Sequence, residues 1–206
     1  MSTQPTDGTR RRERQKAMTR NRVLDVARTL FAEHGYEAVT IRMIADEAGI
    51  AVGSVFTTFH SKSDVLSAIV VEEIGKQLDG ADTALDGVNG CVPRIRALFT
   101  VIYRHHDRHG LLLLQAQSHS WVRPREAELA VRRSLVPTFK RIERLLMDGE
   151  DAGEIAPGRD LRLIVQMLYA CYIANYRGAA FDGLSADDMI AAMDRQIAIL
   201  VGGQHA

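Results

Sequence analysis

The sequence predicts an all-α protein, a small three-helix unit followed by a larger helical domain. Three observations carry that prediction. Apolar residues recur at intervals of three and four along nearly the whole chain. No segment sustains the alternation of β-branched and polar residues that a strand needs. Near the N-terminus, two very short apolar patterns joined by a glycine-containing turn follow a longer one, and short helices of that kind form only when they share a core.

In chain order, Val23, Ala27, Leu30 and Phe31 form one stripe of a first helix over 20–34, ended by Gly35, which suits the left-handed conformation of a helix C-terminus. Thr40 is an N-cap for a second helix of about eight residues, carrying Ile41, Ile44, Ala45 and Ala48 and closed by Gly49. Val52, Val55, Phe56 and Phe59 make a third short pattern. Ser61-Lys62-Ser63-Asp64 then reads as a capping box opening a fourth helix, continued by Leu66, Ile69, Val70 and Ile74 toward residue 78. Ile44, Ala45, Val55, Phe56 and Phe59 are expected to share a core with Val26, Leu30 and Phe31, which leaves the outer face of the third helix free. This is the helix-turn-helix arrangement.

Asp, Gly and Asn residues over 79–90 predict a loop and hinge. Further helices are expected at 92–108, 110–121, 125–151 with Pro137 as a kink or break, 160–179 and 186–201. The predicted organisation is therefore a basic flexible arm over 1–19, a helix-turn-helix unit over 20–78, a loop over 79–90 and a second helical domain over 91–206.

Composition narrows the function. A net charge of zero argues against indiscriminate coating of nucleic acid, but residues 10–22 hold seven cationic side chains against the single Glu13, a local patch suited to phosphates. The first twenty residues have no apolar signal region and no membrane-length apolar run follows, so a cytoplasmic protein with no membrane partner is expected. Cys91 and Cys171 stand far apart without CxxC or zinc spacing, which predicts neither a disulfide framework nor a structural metal. His105 and His109 share a helix face, but no third ligand stands at a clear spacing and no activated nucleophile is evident. Neither a metal site, another cofactor nor an enzyme is expected.

Residues 22–69 resemble the DNA-binding domain of the TetR family. The resemblance rests on LFAEHGY at the end of the first helix, the threonine opening the second, IADEAGI across the turn, VGSVF at the start of the third, and Phe59, Ser61 and Lys62 leading into the fourth. It implies a recognition helix in the major groove, with Val52, Gly53, Ser54, Thr57 and Thr58 toward the bases. Thr40, Arg42 and Lys62 are then phosphate-positioning contacts, and His60 a donor to phosphate when protonated. The chain departs from the common pattern of two tyrosines and a histidine by carrying Phe56, Thr57 and Thr58, with Phe56 expected to keep the packing role of the first tyrosine.

In the second domain, the segment 161–176 is apolar nearly all round and the last helix repeats the theme. Ala170, Ala174 and Gly178 would permit close helix approach to a partner, and the resemblance to the TetR family implies a homodimer through helices 160–179 and 186–201. Phe99, Tyr103, His106, Gln117, Trp121, Phe139, Met167 and Cys171, together with Gln115, His119 and Met147, mix apolar surface with a few hydrogen-bonding groups, as a pocket for an apolar small-molecule effector does. The resulting expectation is a DNA-binding regulator, a repressor released from a palindromic operator by an inducer. A DNA-binding regulator controlled by a protein partner is the alternative, favoured by a filled interior around Trp121.

Overall fold

The computed structural model describes the backbone of residues 7–202; the side chains of residues 7–9, 12, 106–113 and 117 lie outside that description. Every regular element among the described residues is helical: α1 (Asp7–His34), α2 (Ile41–Ala48), α3 (Val52–Phe56), α4 (Lys62–Leu85), α5 (Cys91–Ser118), a 3-10 turn (His119–Val122), α6 (Arg125–Asp151), α7 (Leu161–Asp182) and α8 (Ala186–Leu200).

The helix starts follow the caps. Thr40 accepts from the Met43 N–H, Ser61 from Asp64, Asp160 from Leu163, and Ser185 forms a reciprocal capping box with Asp188. At Ser61 the box is offset by one residue, because the Asp64 carboxylate accepts from the His60 N–H at 3.0 Å. Gly49 closes α2 in the left-handed region at φ 65°.

Several boundaries differ from the sequence reading. The arm expected to be flexible over 1–19 is helical from Asp7, since its Arg, Lys, Gln and Ala residues favour helix. The loop expected over 79–90 is confined to 86–90, because Ala81 is fully buried and draws α4 on to Leu85. The helices expected at 92–108 and 110–121 are one helix, running through Gly110 to Ser118. Pro137 lies inside α6 without ending it. The third pattern, expected to reach 59, is helical only to Phe56.

Two apolar clusters form the interior. The first joins Val23, Phe31, Ile44, Val55, Phe59, Leu66 and Ile69 of α1–α4, and extends to Ala116 of α5 and Val131 of α6. The N-terminal unit is thus packed on the second domain rather than separated from it by a hinge. The second cluster unites α5–α8 around Leu98, Tyr103, Leu146, Leu168, Tyr176, Met189 and Met193. Gly149 lets α6 approach the start of α5, where an added Cβ would lie 2.6 Å from the Cys91 Cβ. Gly178, expected to admit a neighbouring helix, instead receives Leu184 of its own chain, whose Cδ1 would lie 2.5 Å from an added Cβ.

Candidate functional site

One face of the N-terminal unit gathers the residues expected to meet DNA. Gly53, Ser54, Thr57 and His60 are exposed on and just after α3, with Val52 and Thr58 half-buried beside them. Gly53 has no positive φ, and an added Cβ there would meet nothing within 4 Å. Neither backbone conformation nor internal packing therefore requires a glycine at this position. The Thr57 hydroxyl donates back to the carbonyl of Ser54 at 2.7 Å. It consequently offers an approaching base its methyl and an acceptor lone pair, not its proton.

Phe56 departs from the expectation that it packs inside: it is 47% exposed, while Val55 and Phe59 are buried. Three residues after Gly53 on α3, it adds an exposed apolar surface beside Gly53, Thr57 and His60. The pattern of Val52, Val55, Phe56 and Phe59 fits a helical stripe, but α3 is one turn long and only part of that stripe turns inward.

Arg42 is exposed at the start of α2, where unpaired backbone N–H groups also favour an anion. Lys62 is engaged within the protein. Its ammonium donates to the carbonyls of Tyr36 at 2.6 Å and Glu37 at 3.2 Å, and stands 4.2 Å from the centre of the Tyr36 ring. It pins the α1–α2 turn to the start of α4. Upstream, Arg10, Arg11, Arg14, Lys16 and Arg22 are exposed along α1.

A second site lies between α4, the end of α5, α6 and α7, where a groove of about 400 Å³ opens. Val70, Ile74, Ala116, Val131, Leu135, Tyr169, Tyr172 and Ile173 supply apolar walls, and Gln77, Ser120, Arg123, Glu128 and Arg132 the polar groups. Arg123 is nearly buried, donating to Glu128 at 2.9 Å and to the Ala116 carbonyl at 3.1 Å. Glu128 also receives Arg132 at 2.7 Å. Two guanidinium groups thus face one carboxylate, which leaves this wall with an excess of positive charge. A narrow inner cleft continues from the groove past Phe99, Ile102, Phe139 and Val165.

Of the residues expected to form a pocket, Phe99 and Phe139 line the inner cleft and Trp121 stands on the groove itself, 84% exposed. The others are elsewhere. Tyr103 is fully buried behind the cleft, receiving the Asn175 amide at 3.0 Å and stacked on Tyr172, and burial pushes its hydroxyl well above the usual tyrosine range. Cys171 packs half-buried against the second cluster. Met167 is 43% exposed on the outer side of α7, and Met147 is exposed too. Gln115 accepts from the Tyr36 N–H at 3.1 Å, and His119 packs edge-on to the Tyr36 ring at 4.0 Å, so both serve the contact between the two halves of the chain. The side chains of His106 and Gln117 lie outside the described residues. Arg123, Glu128, Arg132, Gln77, Tyr169 and Tyr172 escaped the sequence reading. Glu128 and Arg132 read there as an ordinary surface pair four residues apart.

Among the described residues, no group of three or more His, Cys, Asp and Glu is placed to hold a metal ion, and no helix is long and apolar enough to cross a membrane.

Residues 23–69 match the family model of bacterial regulatory proteins of the tetR family. Those residues are a TetR-type DNA-binding domain. It is similar to the fatty acid metabolism regulator protein of Bacillus subtilis, with 24% identity over 93% of this chain and 98% of that one. It is also similar to the transcriptional repressor KstR of Mycobacterium tuberculosis, with 28% identity over 91% of this chain and 82% of the relative. Among solved structures, the regulator FadR from Bacillus subtilis in complex with stearoyl-CoA superposes with a TM-score of 0.73, at 22% identity, covering 89% of this chain and 98% of that one. These similarities support a DNA-binding transcriptional regulator, and α2 and α3, with their exposed face, lie within the residues that the family model matches.

Proposed function

We propose that this protein is a homodimeric repressor that occupies a palindromic operator and is released by an effector with a long apolar tail and an anionic head, of the acyl-CoA class. The single observation that carries the reading is the groove: apolar walls running inward to the Phe99–Phe139 cleft, with Arg123 and Arg132 outnumbering Glu128 along one side. Its volume lies in the range of small-molecule sites. The relative solved with stearoyl-CoA shares the fold and supports the same ligand class. An open groove beside Trp121 weighs against control by a protein partner alone.

The dimer reading rests on α7. Leu163, Met167, Ala170 and Ala174 follow one another at threes and fours along its exposed side, Phe181 stands seven residues further on, and Ile199 of α8 is 78% exposed. Such a stripe seeks a second helical surface. Two recognition helices related by a two-fold axis then read half-sites about 34 Å apart, with Val52, Gly53, Ser54, Phe56, Thr57 and Thr58 toward bases and Thr40, Arg42 and His60 near phosphates. An effector that prefers the released shape by about 3 kcal/mol weakens operator binding roughly a hundredfold.

The test is selection of bound sites from random duplex DNA, followed by fluorescence anisotropy on the enriched site with stearoyl-CoA, free CoA and stearate in separate titrations. The expected result is an enriched palindrome bound by a dimer and released by stearoyl-CoA far better than by either fragment. Release by none of the three removes the acyl-CoA assignment; an enriched site without two-fold symmetry removes the palindromic one.

A further inference from the structure

A group of charges around α4 belongs to neither the DNA face nor the groove. Glu73 is fully buried at its centre. One carboxylate oxygen accepts from Lys76 at 2.8 Å and lies 3.2 Å from Nε of Arg28 on α1; the other lies 2.7 Å from Nε2 of His105 on α5. Arg28 also reaches Glu72 at 2.9 Å, and the second oxygen of Glu72 takes Arg20 of α1 at 2.8 Å. Val70 and Gln77, one turn to either side on the same helix, and the adjacent Ile74 line the groove.

α1 and α4 are therefore clamped together by two carboxylates and two arginines, while the clamped pair is tied to α5 through the Glu73–His105 contact. α2 and α3 pack on α1, so whatever turns the pair turns the recognition helix. A buried carboxylate tolerates the loss of a partner poorly, which makes the contact two-state rather than graded.

Resting on the effector-responsive reading above, we propose that Glu73 is the positioning residue linking groove occupancy to the DNA face. An occupant that displaces α4 from α5 breaks the Glu73–His105 contact, and the α1–α4 pair, still held by Arg28 and Arg20, carries the recognition helix out of register. The carboxylate touches neither ligand nor DNA; it acts through the helices it joins.

Two variants test this. Glu73→Gln keeps the shape and removes the charge, and His105→Leu removes the imidazole that Glu73 meets on α5. In the wild type, saturating stearoyl-CoA weakens operator binding about 30- to 100-fold. In both variants that factor falls below about threefold, while stearoyl-CoA affinity measured by calorimetry without DNA stays within about threefold of wild type. A purely structural role would lower the melting temperature and leave the release factor intact. A second arm needs no effector: operator binding slows amide hydrogen exchange over residues 95–105 of α5 in the wild type and not in the variants. If Glu73→Gln does not fold, His105→Leu decides alone. Folded variants that keep both the full release factor and the α5 protection overturn the proposal. Failure of stearoyl-CoA to release the wild type overturns the effector reading instead, and the exchange arm then decides the role of Glu73.

Discussion

Lys62 and Arg42 stand on the same side of the N-terminal unit, yet their chemistry differs. The Lys62 ammonium has three N–H donors and gives two of them to the carbonyls of Tyr36 and Glu37; Arg42 is exposed at a helix start. Lys62→Met, which keeps the stem and loses the donors, should lower stability by about 1–2 kcal/mol in urea unfolding and weaken binding to all sequences alike. Arg42→Ala should leave the unfolding midpoint unchanged and reduce the slope of log K against log salt by about 0.9, the signature of one lost phosphate contact. A Lys62→Met protein of normal stability with a reduced salt slope would return Lys62 to the phosphate role that the family resemblance implies. At this scale the caps were legible: Thr40 and Gly49 do what their side chains and backbone preferences dictate. Phe56 was not, because one turn of helix is too short for a stripe to say which of two adjacent positions turns inward. The back-bonded Thr57 hydroxyl depends on backbone geometry that spacing does not encode.

Helix existence was legible from periodicity, and helix length was not. Gly80 lay in the segment read as a loop, since a glycine costs about 1 kcal/mol against alanine in a helix. Burial of Ala81, and in α5 of Leu98, Ile102 and Tyr103 before Gly110 and Ala116 after it, exceeds that local preference. Glycines inside helices can be told apart by what surrounds them. An added Cβ at Gly80 would meet Val101 at an ordinary 3.6 Å, so Gly80→Ala should stabilise the protein by about 0.5–1 kcal/mol by restricting the unfolded chain. At Gly149 an added Cβ would overlap Cys91, and Gly149→Ala should destabilise by about 1–3 kcal/mol. Paired urea melts check both signs, and a stabilising Gly149→Ala would mean that α5 and α6 separate easily at their ends.

Across the molecule, buried weak acids are shifted in one direction. Desolvation raises the Cys91 thiol from its ordinary 9.0 to about 11, with nearby Glu154 adding to the shift, and burial likewise raises Tyr103, Tyr169, Tyr176 and Cys171. A group that keeps its proton longer when folded lets the unfolded chain ionise first. Stability should therefore hold up to about pH 9 and fall as pH rises toward about 11, and Cys91→Ala should remove part of that slope in urea midpoints taken across the range. The two-part organisation was legible from the cluster of short helices and the apolar last two. The groove was legible only in its aromatic members, because Arg123, Glu128 and Arg132 meet α4 and α7 through tertiary packing that no local pattern announces. Trp121 is the only indole in the chain, and it stands at the edge of that groove with most of its surface in water. An indole already so exposed can report an occupant in one optical direction, toward shorter emission wavelength and weaker collisional quenching. The protein thus carries an intrinsic fluorescent probe whose baseline is already at its red limit, so a red shift on adding stearoyl-CoA would mean that the occupant binds elsewhere.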